Sequence, residues 1–309
     1  MNEMATLAPD REIAPAAAPV ETPLRRFVVD FCASRIAVGG MVVFVAIALV
    51  AIFAPWITPQ NPYDLNQLDI MNGRLVPGTK SPDGWTYWLG TDDQGRDMLS
   101  AICFGLRTSL AVGAASALGA LALGMTLGLI AAYFGGRTET LIMRIVDIQL
   151  SFPAILVALI LLAILGQGAG KIVIALIAVQ WAYYARTVRG TALVERRKEY
   201  IEAARCLALG NARIVFRHLM PNCLPPLIVV VTVQVAHAIA LEATLSFLGI
   251  GLPITEPSLG LLIANGYNYL LSGKYWISFY PGIALLIAIV SINLVGDQLR
   301  DVLNPRLQR

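Results

Sequence analysis

Few residues of this chain have the type and spacing for covalent or metal chemistry. Gly166-Gln167-Gly168-Ala169-Gly170-Lys171 has the glycine and lysine content of a loop that cradles phosphates. Such a loop needs glycine where Leu165 stands and Ser or Thr where Ile172 stands, so the segment reads as a turn. Asp92, Asp93 and Asp97 could offer carboxylates to Ca²⁺, but the alternate-residue spacing and closing Glu of a calcium loop are missing. His218 has no second His or Cys at ligand spacing and reads as a hydrogen-bonding spacer rather than a metal ligand. His237 and Glu242 are ionisable residues in one apolar run, by default a functional signal inside a membrane. They are five residues apart, not quite on one helical face, and structural helix pairing by Glu242 outweighs direct substrate contact. An intramembrane enzyme needs a nucleophile with its base, or metal ligands; His237 alone supplies neither.

The elements that must position these residues are apolar. Of 309 residues 57% are hydrophobic and 14% charged, and the mean hydropathy is +0.68. A soluble domain carries roughly 25% charged residues. A disordered chain is excluded by this composition, a disulfide framework by four cysteines without paired spacing, and a nucleic-acid binder by a net charge of only +3. A bilayer core needs about 20 mostly apolar residues per helix. Six stretches are read as spans: Ile36–Ile57, Leu106–Tyr133, Leu141–Leu165, Ile172–Tyr184, Leu224–Leu245 and Ile277–Leu294. In the second, Gly124 and Gly128 form a small-xxx-small pair, expected to serve packing within the chain rather than a dimer contact.

Residues 1–35 read as a tail, with nothing to bury in the Ala/Pro run Ala14–Val20, and the first apolar run as an uncleaved span. Positive loops stay in the cytoplasm. With the N-terminus inside, only Arg74, Lys80, Arg96, Arg107, Lys171 and Lys274 of the 23 Lys and Arg fall outside. Both termini are therefore expected in the cytoplasm, with Cys206 and Cys223 reduced. The organisation read is a tail (1–35), a first span (36–57), an outer loop (58–105), a core (106–300) containing an inner loop (185–223), and a short tail (301–309).

The inner loop is basic and helical in pattern, with apolar Ile201, Ala204, Leu207 and Ala208 on one side. Gly210-Asn211 offers a break, and a second helix over Ala212–Leu219 is expected to close at Pro221. Two short helices of this kind make either a rigid docking knob or a hairpin lying on lipid headgroups.

The string Glu199-Tyr200-Ile201-Glu202-Ala203-Ala204, followed by Arg213-Ile214 and Phe216-Arg217-His218-Leu219-Met220-Pro221-Asn222, resembles the EAA loop of ABC importer permeases. In that family the loop fits a groove on the ATP-hydrolysing subunit. The resemblance implies that small Ala203 and Ala204 admit the socket wall and that Glu202 makes charge-assisted hydrogen bonds. Where the family has glycine this chain has Ala208, with Gly210 two residues later, and alanine adopts a positive φ only at a cost.

Trp88-Leu89-Gly90-Thr91-Asp92-Asp93-Gln94-Gly95-Arg96-Asp97-Met98-Leu99-Ser100 and Gly105-Leu106-Arg107-Thr108-Ser109-Leu110 resemble the signature of the "C"-type permease of the dipeptide/oligopeptide/nickel group. Segments Arg144–Pro153, Glu242–Gly251 and Asn293–Pro305 resemble further family motifs, the last with Asn304 in place of Asp. The implied fold is all-α: a polytopic membrane protein of six transmembrane helices, the type I ABC importer (MetI-like) permease. The implied function is half of a translocation path for di- and oligopeptides in the cell membrane, with nickel or glutathione-like cargo as the alternative. A secondary transporter would show inverted repeats with interrupted spans, and no matching pair is seen. The implied partners are a "B"-type permease, two subunits that bind ATP and Mg²⁺, an extracellular or periplasmic binding protein, and membrane lipids; no cofactor or nucleic acid is expected.

Overall fold

The computed structural model describes residues 23–82 and 84–303. Arg11, Ala14–Val20 and the chain from Asn304 onward lie outside them. The helices are α1 (Pro23–Cys32), α2 (Arg35–Ile57), α3 (Met98–Phe134), α4 (Gly136–Ser151), α5 (Ala154–Leu165) and α6 (Ala169–Glu195). They continue with α7 (Glu199–Cys206), α8 (Asn211–Arg213), α9 (Met220–Phe247), α10 (Leu259–Tyr267) and α11 (Trp276–Leu303). A two-stranded antiparallel ribbon, β1 (Thr79–Lys80) and β2 (Thr86–Tyr87), lies in the α2–α3 loop.

Each of the six apolar runs falls on helix. Four helices are long and apolar enough to cross a membrane: α2, α3, the continuous helix Asn211–Phe247, and α11; the bent pair α4–α5 makes a fifth if taken as one span. Helix α6 has 27 residues but carries Lys171, Gln180, Arg186 and Arg189 along its length.

Several boundaries differ from the sequence reading, each for a local reason. The third run is broken by 95° between α4 and α5, because Pro153 has no N–H to donate and forces its predecessor out of helix. The outer loop ends at residue 97 rather than 105, since Asp97 caps α3 by accepting from the Ser100 N–H at 2.8 Å. Residues 23–32 are helical rather than tail, and Phe31 is buried against Val295 and Val302 of α11. Pro221 does not close a helix. The stretch Ile214–Leu219 is π-helical and runs directly into α9, its i→i+5 bonds absorbing an extra residue just before Pro221.

The bundle is centred on α3 lying along α6. A methyl group on Gly124 would meet the Trp181 carbonyl oxygen at 2.3 Å, and one on Gly128 the Ala185 carbonyl oxygen at 2.6 Å. The glycine pair thus serves packing within the chain, letting the two backbones touch. Helix α10, unforeseen in the sequence, wedges between α9 and α11 through Gly260 and Gly266, whose absent side chains leave room for Ala243 and Ser278.

Candidate functional site

The α6–α9 loop is built onto the bundle. Ile201, Ala204, Ile214, Val215 and Leu219 are buried in one cluster with Tyr133, Trp181 and Val188 of the bundle helices. Polar ties hold the same junction: Arg196 Nη1 donates to the Ala132 carbonyl at 2.7 Å, Tyr133 Oη to Asn211 Oδ1 at 2.8 Å, and Tyr200 Oη to Glu195 Oε2 at 2.9 Å. Burial, reinforced by Glu195, pushes the Tyr200 phenol up to about 12. The opposite face of α7 is exposed and carries Glu199, Glu202, Ala203 and Cys206, with Leu207 74% exposed beside them. This divides the expected contacts: Ala203 points outward, whereas Ala204 is part of the loop's own core. Leu207 and Ala208 also leave the apolar face on which the sequence pattern placed them. The Glu202 carboxylate enters no hydrogen bond among the described residues, and Arg213 is exposed while His218 is half-buried.

Ala208 has φ +53°, the left-handed conformation that glycine takes at no steric cost. Its N–H donates to the Arg205 carbonyl at 2.9 Å and the Leu209 N–H to the Ala204 carbonyl at 3.2 Å, the paired bonds of a Schellman helix end. The turn of α7 is therefore made at Ala208. Gly210 has φ −60° and merely precedes α8. An alanine held at positive φ costs about 1–3 kcal/mol. Ala208→Gly should accordingly raise stability by about 1 kcal/mol, read as a higher unfolding temperature in detergent with the α7 exposure unchanged.

The signature residues of the α2–α3 loop assemble elsewhere, at the opposite end of α3. Asp92 and Arg96 are both fully buried, with Arg96 Nη1 3.8 Å from Asp92 Oδ2. Asp92 Oδ1 accepts from the Gln94 and Arg96 N–H groups at 2.9 Å each, and Arg96 Nη2 donates to the Ile254 carbonyl at 2.8 Å. Thr91 Oγ1 donates to the Asn72 carbonyl at 2.6 Å, and its own carbonyl accepts from Trp276 Nε1 at 3.2 Å. Gly90 and Gly95 have φ of +79° and +77°, and a methyl group on Gly95 would lie 2.0 Å from the Asp69 carbonyl oxygen. Burial pushes Asp92 up to about 6 against the pull of Arg96, raises Asp93 and Asp97, and lowers Arg96. Asp92 spends Oδ1 on backbone N–H groups and Asp97 spends Oδ2 on the α3 cap, while the buried Asp92 Oδ2 has no hydrogen-bond partner and faces the Arg96 guanidinium. No carboxylate, His or Cys cluster able to hold a metal occurs among the described residues. Arg107 lies apart from this group, exposed on α3 beside Phe44, Ile52 and Val235.

His237 and Glu242 are separated by the helix they share. His237 is exposed, while Glu242 is fully buried and accepts from Ser109 Oγ and Ser246 Oγ, both at 2.8 Å. The Ser109 bond joins α9 to α3 across 133 residues of sequence. Both serines were missed in the sequence: nothing local ties Ser109 to Glu242, whereas Ser246, four residues on along the same helix, was within reach of the spacing.

Comparison with known proteins places these features in a family. Residues 124–309 match the family described as "Binding-protein-dependent transport system inner membrane component", and residues 22–77 match "N-terminal TM domain of oligopeptide transport permease C". A putative peptide transport system permease protein of Brucella suis biovar 1 is 41% identical over 87% of each chain. The di/tripeptide transport system permease protein of Pseudomonas aeruginosa is 36% identical over 93% of each chain. The oligopeptide transport system permease protein of Bacillus subtilis is 36% identical over 90% of this chain and 88% of its own. An inward-facing structure of the MetNI methionine ABC transporter shares the fold, with a TM-score of 0.54 and 22% identity over 66% of this chain and 97% of that one. Of this bundle and its two loops, then, the conclusion is that the chain belongs to the inner-membrane permeases of binding-protein-dependent ABC importers.

Proposed function

We propose that this chain is one of two permease subunits of an importer that carries di- and oligopeptides into the cell. In this reading both termini are cytoplasmic and α7 seats one of two separate ATP-hydrolysing subunits. The observation that carries it is the two-sidedness of α7. Ile201 and Ala204 anchor one face in the bundle core, while Glu199, Glu202 and Ala203 present the other to solvent. A hairpin resting on lipid would turn its apolar face outward. The folded α2–α3 loop, wired to α11 through Trp276, is the surface offered to an external binding protein. ATP and Mg²⁺ are assigned to the partners, and the names of the relatives support peptide rather than nickel as cargo.

Proteoliposomes holding this chain with its partner subunits and enclosing ATP test the proposal. They should accumulate labelled dipeptide only when the binding protein is supplied, and should continue to do so after ionophores collapse every ion gradient. Uptake that follows a gradient and ignores ATP would overturn the reading; ATP-driven uptake of Ni²⁺ without dipeptide would overturn its substrate.

A further inference from the structure

A cavity of about 570 Å³ opens in the α2–α3 loop, between the 3₁₀ turns Leu65–Gln67 and Ile70–Asn72 and the β1–β2 ribbon. Asp64 and Asp69 cap the two turns, accepting from the Asn66 and Met71 N–H groups at 3.0 and 2.9 Å. Asp69 lines the cavity and also accepts from Asn72 Nδ2 at 3.3 Å, which uses two of the roughly four lone-pair positions of its carboxylate. The group is exposed, and neither Asp64 nor Asp69 enters an ion pair among the described residues. Asn66 and Gln67 are exposed on the rim, and the Asn66 side chain enters no hydrogen bond among the described residues. Half-buried Trp85 forms the opposite wall, its ring held edge-on against buried Tyr87 with centroids 4.7 Å apart. No lysine or arginine is in the lining; Lys80 of β1 is exposed and outside it.

We propose that this cavity is the socket for an arginine side chain projecting from the external binding protein. The accessible groups are an unpaired carboxylate, carboxamide oxygens and an indole face, all acceptors of positive charge. A guanidinium presents five N–H donors in a planar fork that matches carboxylate and amide oxygens, and the same plane stacks on an aromatic ring. A bare divalent cation finds only one carboxylate in this lining, and a carboxylate or phosphate finds no cation at all. The socket is formed before any partner arrives, because Gly95 packs directly under the Asp69 carbonyl and the two turns are closed by their own caps. The proposal rests on the loop being the surface that receives the binding protein, and adds where on that surface the contact is made and by what chemistry.

The complete importer in lipid nanodiscs, without nucleotide, is titrated with its peptide-loaded binding protein. Asp69→Asn, whose amide oxygen still caps the turn, should weaken binding about three- to tenfold. It should also flatten the dependence on ionic strength, since one exposed charge no longer meets its partner. Asn66→Asp breaks no side-chain bond, adds a carboxylate to the rim and should tighten binding at low salt. A photoreactive benzoylphenylalanine at position 66 should capture the binding protein. Equal affinities of the Asp69→Asn and unaltered complexes would overturn the proposal, as would no tightening in Asn66→Asp. Weakening in Asp69→Asn with an unchanged salt slope would overturn it too and mark a damaged turn, and so would capture of the partner permease at position 66. Failure of the binding protein to bind the unaltered complex would instead overturn the reading of the loop as its receiving surface, so the two failures are distinct.

Discussion

Replacing Ala204 with arginine should unfold the α6–α9 loop, while the same change at Ala203 should leave the fold intact and abolish attachment of the ATPase. Ala204 is 5% exposed and packed in the cluster that holds Ile201, Ile214 and Leu219. An arginine there meets a filled space, at about 1–3 kcal/mol for overpacking, and brings a charge with no partner into an apolar site, at a further several kcal/mol. The variant should be lost to proteolysis or unfold at a visibly lower temperature in detergent. Ala203 lies on the exposed face, where a substitution changes stability by no more than about 0.5 kcal/mol. Its arginine should appear only as failure of the ATPase subunits to co-purify and loss of ATP-driven uptake. If Ala203→Arg retained both, the exposed face of α7 would not be the seat.

The second large effect is expected at the buried pair in the outer loop. Arg96→Met leaves the Asp92 carboxylate buried without its cation and also removes the bond to the Ile254 carbonyl. Breaking one side of a buried pair costs about 3–5 kcal/mol, whereas replacing both members often costs little. Limited proteolysis of the loop should therefore be rapid in Arg96→Met and slower again in the Arg96→Met/Asp92→Asn double variant. The same pair predicts a pH dependence. Burial holds the folded Asp92 carboxyl at about 6, above the ordinary 3.8. The folded loop thus binds this proton more tightly than the unfolded chain does. Its contribution is fully present below about pH 4 and is lost as the pH rises through about 6, a change of about 1–3 kcal/mol. Asp93 and Asp97, raised by burial, act in the same direction. Asp92→Asn should flatten the profile of loop protection against pH; an unaltered slope would place the effect elsewhere.

What the sequence made legible follows from how local each cause is. The apolar run of α2 and the glycine pair facing α6 are local signals, and both correspond to what is built. Pro153 was equally visible, yet the length of the surrounding run masked its power to bend the chain. Spacing already put Ala204 rather than Ala203 on the apolar face beside Ile201, but only the arrival of Ile214 and Leu219 from the next helix makes that face the loop's own core. The Glu242–Ser109 bond, the Arg96–Ile254 bond and the Trp276–Thr91 bond link segments more than 100 residues apart in sequence. No spacing rule reaches that far. Ala208 is a different case, because the backbone bonds at the end of α7 fix its conformation and the residue accepts the strain.

The π-helical turns at Ile214–Leu219 set an angular phase. Each residue advances a helix by about 100°, and the extra residue held there offsets α9 from α8 by that amount. With this offset Glu242 faces Ser109, while Ile214 and Leu219 stay in the core beneath α7. Rewinding these turns to ordinary α-helix would aim the inward residues of α9 toward the outside of the bundle without moving α7. Between α7 and the membrane half, a gain or loss of one residue of pitch in this stretch would turn one end against the other.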